Sequence, residues 1–339
     1  MKECIKYFVL LRAIATIAVI SYHVGNGGGI GADLLVRDYY SGINVWCVPI
    51  FFMLSGALLL SRKRFVWHHH WQKTIRLIYI LFFWSFIYNL LSLIFISKKI
   101  TFAILGEAVA MIFCADIKFA YHLWFLYTII GLYLVIPYLY YILQYVPHKQ
   151  VVVLLILLII FSWIIPTMNK CVFRFEKSIW LGSFRCFEGF TVYLLWGYLL
   201  HTQTFNRRMR FAFWGAGIIV FCLHAFLALQ QCSRLYHIFC NYSSFTTAIL
   251  ATAVFLAAKY SKFEENTFVF RCIVTISKYS LPIYLLHVMI FQFMRKIFQF
   301  DSSAMPLQFS LPLLTIFVLI ITTAVAWVFK KIPFINHLM

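Results

Sequence analysis

The chain has 339 residues, of which 63% are hydrophobic, 20% aromatic and only 12% charged. That balance excludes a soluble globule and marks a polytopic membrane protein. A formal charge of +19 raises nucleic acid as a partner, but the basic residues lie in short blocks between apolar spans. No RNA-binding or helix-turn-helix pattern organises them, so membrane topology accounts for them better.

Ten apolar stretches in chain order have the length needed to cross about 30 Å of hydrocarbon: 7–24, 44–61, 75–97, 120–143, 150–166, 184–201, 211–230, 242–260, 279–298 and 311–329. The first ends in no small-residue cleavage site and reads as a retained helix rather than a signal peptide. Segment 100–114, ITFAILGEAVAMIFC, is apolar but interrupted by Glu107, which suits an interfacial or re-entrant helix. With ten spans and the N-terminus inside, the inner segments hold the larger share of the 29 Lys and Arg and only three of the ten acids, Glu3, Glu264 and Glu265. The positive-inside rule then places both termini in the cytoplasm. No connection is long enough to form an independent catalytic domain, so 1–339 reads as one all-α transmembrane domain, multi-pass in a cell's inner, cytoplasmic membrane. Neither a sequence repeat nor a pair of broken half-helices of the kind many transporters carry is evident.

Against this apolar background a few polar groups need an explanation. Arg12 and His23 interrupt the first span, YFVLLRAIATIAVISYHV. Eleven residues apart, they fall within about 20° of one helix face and about 16 Å apart along the axis. Ionisable residues inside a membrane are functional by default, although Arg12 can also serve as a snorkelling anchor and His23 as a structural histidine. Gly25, Gly27, Gly28 and Gly29 follow, so the backbone is expected to leave helical geometry just after His23 and open space beside the imidazole. In the second span, Ser55 and Gly56 suit close helix contact; Ser55 lacks the GxSxG setting of a nucleophile.

On the cytoplasmic side, Trp67, His68, His69, His70 and Trp71 stand between Arg62, Arg64 and the pair Lys73 and Arg76. This rim can set topology or receive the phosphates of a cytosolic donor. Three adjacent histidines on a helix cannot face one metal ion, and no carboxylate is near, so no metal site is expected. His122 and Trp124 enter the fourth span as interfacial anchors or as part of the site. Arg185, Glu188 and Tyr193 lie near the outer end of the sixth. Arg185 and Glu188 can pair with each other or offer both signs of charge to a saccharide. Tyr284 and His287 are three apart in SLPIYLLHVMI, where a buried hydrogen bond is the ordinary use. Among nine cysteines there is no CxxC; Cys171 with Cys186, or Cys232 with Cys240, could pair in an oxidising compartment.

Taken together, LRAIATIAVISYH, PIFFMLSGALLL, HLWFLYTIIGLYLVIP, VYLLWGYLL and ISKYSLPIYLLH resemble, in order and across most of the chain, the integral membrane acyltransferase-3 family. The arginine and histidine separated by ten residues match that family's signature. The resemblance implies a bacterial type of enzyme that takes an acyl group from acyl-coenzyme A on the cytoplasmic side, with acetyl-CoA the default donor. The acceptor is an extracytoplasmic glycan, a small or lipid-linked saccharide of the cell envelope. It makes His23 catalytic and has Arg12 accommodate the donor. His122, Trp124 and His287 match family phrases and become candidates for the acceptor side, joined on physical grounds by Arg185, Glu188 and Tyr284; apart from the resemblance, the charge of Arg62, Arg64, Lys73 and Arg76 offers complementarity to the donor's phosphates.

The chemistry stands apart from the name. A thioester supplies an activated carbonyl carbon, a sugar hydroxyl needs a base near its proton, and imidazole, with an ordinary pKa near about 6.5, suits that role. Direct transfer with His23 as general base leads, and a histidine-linked acyl intermediate is the other route. A transporter or flippase for a polar lipid-linked glycan is the competing class. It would move its substrate without covalent change.

Overall fold

A computed structural model describes residues 3–27, 34–97, 102–113, 121–168, 171, 189–231, 233–262, 264–265, 267–298, 307–333 and 338–339. Among these residues every regular element is helical, as hydrocarbon requires of a chain that must satisfy its backbone polar groups within each segment. The order is α1 (Glu3–Gly27), α2 (Leu34–Asn44), α3 (Cys47–Leu59), α4 (Trp67–Ser97), α5 (Phe102–Phe113), α6 (Trp124–Tyr145) and α7 (His148–Ile159). After α7 the chain continues through a π-helical turn, Ile160–Ile164, into a final α turn, Ile165–Met168. Then come α8 (Thr191–Thr202), α9 (Arg207–Leu229), α10 (Ser233–Phe239), α11 (Phe245–Lys259), α12 (Phe268–Lys278), α13 (Ser280–Phe298) and α14 (Leu307–Phe329).

Local chemistry sets several of these starts. Asn206 accepts from Met209 N at 2.8 Å, Ser244 from Thr246 N at 3.2 Å and Thr267 from Phe270 N at 3.1 Å, capping α9, α11 and α12. Pro49 sits in the first turn of α3, where its missing N–H removes no helical bond.

Among the described residues seven helical stretches are long and apolar enough to cross a membrane: Lys6–Asn26, Arg37–Leu59, Trp67–Ile94, Tyr121–Tyr145, His148–Met168, Arg207–Leu229 and Leu311–Phe329. The protein is thus an all-α, polytopic helical bundle. Three of the ten expected spans differ in form. The eighth is the short apolar helix α11. The ninth, α13, joins the amphipathic helix α12 through a bend of 79°, and the sixth is described only from Gly189 onward. Segment 100–114 forms the 12-residue α5 with Glu107 exposed. At 1.5 Å per residue it reaches about 18 Å, well short of a span.

The described residues divide into two compact units, one of 1–63 and 140–323, the other of 64–139 and 324–339. In the first, α1 is central and touches α2, α3, α11, α12 and α13. Burial follows that position: 56% of the apolar window of α1 is buried and 67% of Arg37–Leu59, against 28% of Arg207–Leu229, whose Ile218 and Ile219 stand exposed. Helices α3 and α8 meet backbone to backbone. A Cβ on Gly56 would strike the Leu194 carbonyl, and one on Gly197 would strike the Met53 backbone, which is the close contact expected of Ser55 and Gly56. Ser55 Oγ donates to Phe51 O at 2.9 Å within its own helix.

In the second unit α4 packs on α5, with Asn89 Nδ2 donating to Ala108 O at 3.3 Å. Tyr127 Oη reaches Ile112 O at 3.1 Å, and Trp84 Nε1 reaches Leu338 O at 2.9 Å.

One local expectation is corrected. Helix α1 does not end after His23 but runs on through Gly25 and Asn26 to Gly27. Gly25 serves close approach rather than a break: a Cβ there would lie 2.7 Å from Tyr40 Cβ, so the missing side chain lets α2 pack against the helix. Gly28 and Gly29 lie outside the described residues.

Candidate functional site

Arg12 and His23 ride on the one uninterrupted helix α1, so the shared face and the separation of about 16 Å follow from helix geometry. The Arg12 side chain is half-buried, and its carbonyl accepts from Thr16 Oγ1 at 2.7 Å. His23 is half-buried as a residue, with Nδ1 shut off from solvent.

Two aromatic neighbours frame the imidazole of His23. The Tyr22 ring meets it edge-on at 5.3 Å between centres, and the His287 ring lies 5.0 Å away at 43°. His287 is buried on α13. Its Nδ1 lies 2.7 Å from Tyr284 O and 3.2 Å from Ile283 O. Carbonyl oxygens only accept, so Nδ1 carries the proton. Tyr284 is half-buried, its ring 6.1 Å from His287.

Further groups at this end of α1 come from remote segments. The rings of Tyr22 and Tyr242 are 6.2 Å apart, and Tyr193, fully buried on α8, donates from its hydroxyl to Tyr242 O at 2.7 Å. Buried His224 on α9 ties Gly42 O (3.1 Å) to Thr246 Oγ1 (3.1 Å). Near the other end of α1, Tyr7 Oη and His201 Nδ1 are 2.6 Å apart. Lys259 Nζ donates to Leu200 O, His201 O and Gln203 O at 2.7, 3.0 and 2.6 Å, a cation at the C-terminal carbonyls of α8 where the helix dipole favours one. Beside it Lys6 pairs with Glu265 at 2.7 Å.

Residues 5–331 match the family model described as an acyltransferase domain. The chain belongs to the acyltransferase-3 family. Curated proteins and solved structures gave no match. The match covers nearly the whole sequence, so the enzyme class is an acyltransferase.

For an acyltransferase-3 protein the remaining candidates distribute as follows. Arg62 lies in the first unit, half-buried, its Nε donating to Leu58 O at 3.3 Å. Arg64, Lys73 and Arg76 lie in the second, all exposed, and Arg76 donates to Met339 O at 2.5 Å. The histidine rim is mixed: His68 and His69 are exposed, whereas His70 is buried, stacked on Tyr133 at 5.4 Å with Nε2 2.8 Å from Tyr133 O. That makes His70 a packing residue. His122, also in the second unit, is buried with its ring 5.1 Å from that of Tyr88. Trp124 opens α6 and is half-buried. Arg185 and Glu188 lie outside the described residues.

The candidate disulfides each have one member in view. Cys171 and Cys240 are free thiols, while Cys186 and Cys232 lie outside the described residues. Burial, reinforced by Asp38, pushes the Cys240 thiol up to about 12, so it carries no reactive thiolate at neutral pH.

Reading the chain did not single out Tyr242, His224, Tyr7 or His201. Each sits far in sequence from its partner, and tyrosine is too common here, at 20 residues, for one to stand out. His287 and Tyr193 did stand out, but without their partners.

Proposed function

We propose that this acyltransferase moves an acetyl group from cytosolic acetyl-CoA to a hydroxyl of an extracytoplasmic or lipid-linked envelope saccharide in a bacterial inner membrane, using residues 1–339 as one catalytic domain. The supporting observation is the placement of Arg12 and His23 on one uninterrupted helix, α1, at the centre of the first unit. A functional pair so placed can serve two faces of a membrane. Arg12 holds polar atoms of the donor; Arg62, Arg64, Lys73 and Arg76, expected on the cytoplasmic side, are by charge alone candidates for its phosphates. His23 takes the proton of the attacking hydroxyl. The hydroxyl oxygen bonds to the thioester carbonyl carbon, the carbon–sulfur bond breaks, and the departing thiolate receives the proton from the imidazolium. Tyr284, His287, Trp124, His122, Arg185 and Glu188 remain candidates for holding the acceptor.

The test uses purified protein in liposomes, acetyl-labelled acetyl-CoA and the glycan fraction extracted from cells lacking the gene. Label should enter the glycan, and His23→Ala should lower transfer by at least about 10² while acetyl-CoA binding is kept. Glycan translocation without label would instead identify a flippase. Wild-type transfer by a well-folded His23→Ala protein would remove His23 from the chemistry. Mass spectrometry of the product identifies the acyl group and the residue that carries it.

A further inference from the structure

We propose that His287 is a proton-relay partner of His23, with a tautomer fixed by its own helix. The inference rests on His23 being the base and adds a second proton carrier to the same site.

Three observations lead there. The Nδ1–H of His287 is committed to the carbonyls of Tyr284 and Ile283 at 2.7 and 3.2 Å. In a neutral ring with Nδ1 protonated, Nε2 carries the lone pair. That nitrogen is shut off from solvent, and the ring centre is 5.0 Å from that of His23. With His287 held by its own helix, rotation of the His23 ring about its side-chain bonds can bring two imidazoles at this spacing into direct N–H···N contact. One helix thereby presents a base of defined tautomer to the ring that another helix carries.

Packing alone gives a poor account of this arrangement. An apolar side chain would fill the same volume on α13 without the cost of burying a polar ring. The back-bonded Nδ1–H stabilises its own helix, yet that bond could be supplied by a shorter amide. What an imidazole adds is Nε2.

The balanced sequence is short. His23 removes the acceptor hydroxyl proton as the oxygen attacks the thioester carbonyl carbon. The proton is then shared between the His23 ring and Nε2 of His287, so the positive charge need not stay on one buried imidazole. When the carbon–sulfur bond breaks, the proton returns through His23 to the thiolate, giving the free thiol of coenzyme A and the acyl ester. His287 touches no reacting atom in this sequence and is a positioning and relay residue.

Two substitutions separate the relay from structure. His287→Asn places an amide donor near Nδ1 and keeps the back-bond to Tyr284 O, but removes Nε2. His287→Gln places an amide oxygen near Nε2 that accepts a hydrogen bond and does not take a proton. In the liposome assay, with acetyl-CoA and the extracted glycan fraction, both should lower kcat by at least about tenfold with KM for acetyl-CoA unchanged. The rate in mixtures of light and heavy water should curve with deuterium fraction for the wild type, as two moving protons require, and become linear for His287→Asn. A linear wild-type response overturns the relay whether or not either variant folds. So does a His287→Asn protein with wild-type kcat, or full rescue by Gln. If His23→Ala is inactive in the same assay, those outcomes reject the relay and leave His23 as the base; if His23→Ala is active, both assignments fall together.

Discussion

Arg12 is the residue whose chemistry is easiest to separate from its charge. Lysine at this position keeps the positive charge but loses the planar fork of donors. We expect Arg12→Lys to raise KM for acetyl-CoA and to lower kcat/KM by at least about tenfold with the fold intact, because the proposed role is directed hydrogen bonding. Arg12→Ala should in addition reduce the yield of folded protein, since it leaves the partners of a half-buried cation behind. Acetyl-CoA titration of each purified variant reads the difference, and full activity in the Lys protein would return Arg12 to the role of a snorkelling anchor. Arg12 and His23 were legible in the sequence because a charge and an imidazole stand out in eighteen otherwise nearly apolar residues. The neighbour that gives His23 its setting, His287, was visible only as a histidine in an apolar phrase. Their 5.0 Å approach depends on how α13 packs against α1, which no spacing within either segment encodes. Gly25 shows the same limit in reverse. A glycine-rich run reads as a helix breaker by propensity, yet here the glycine admits Tyr40 against a continuing helix.

At the scale of the element, the crossing of α3 and α8 governs the first unit's packing. Van der Waals contact and close backbone approach replace the hydrophobic effect as the force between helices in lipid. Gly56 and Gly197 each face backbone of the other helix, and backbone cannot move aside as a side-chain tip can. Gly56→Leu and Gly197→Leu should therefore separate the two helices and cost at least about 1–3 kcal/mol, the usual range for overpacking. Gly215, with nothing within 4 Å of a Cβ, should tolerate Ala without loss. Thermal unfolding in detergent, followed by tryptophan fluorescence, checks the contrast; equal midpoints for all three would show that the contact does not hold the unit. Hydropathy located most helices here, since length and composition suffice for Trp67–Ile94 or His148–Met168. It was less informative for α11, which has only 15 residues, and for α12, whose amphipathic pattern carries too few apolar residues to register as a span. The 79° bend between α12 and α13 falls at Tyr279, three residues before Pro282, which lacks the N–H that a continuous helix would donate to Lys278 O.

For the whole molecule, the charge pattern makes the remaining prediction. On the ten-span reading, fusion reporters at the two termini should both report the cytoplasm, and a reporter within 167–183 should report the opposite side. Termini on opposite faces would defeat it. The basic blocks Arg62 to Arg64 and Arg207 to Arg210 have the exposure this reading needs, with Lys63, Arg64, Arg207 and Arg208 all solvent-facing. Phe226, Phe293 and Ile320, each on an apolar helix, are more than half exposed, surface that suits contact with lipid.

The continuity of α1 sets a rule for how such an enzyme can move. Side chains on separate helices can be drawn apart when a bundle rocks, but Arg12 and His23 share one rod with no break between them. The helix is a ruler: the end proposed to grip a donor and the end proposed to take a proton keep their spacing and mutual angle through any rearrangement that leaves α1 intact. One residue inserted between them would turn His23 by about 100° and slide it by about 1.5 Å, while the composition of the helix stayed almost unchanged. The register of those ten intervening residues therefore carries information that their individual identities do not.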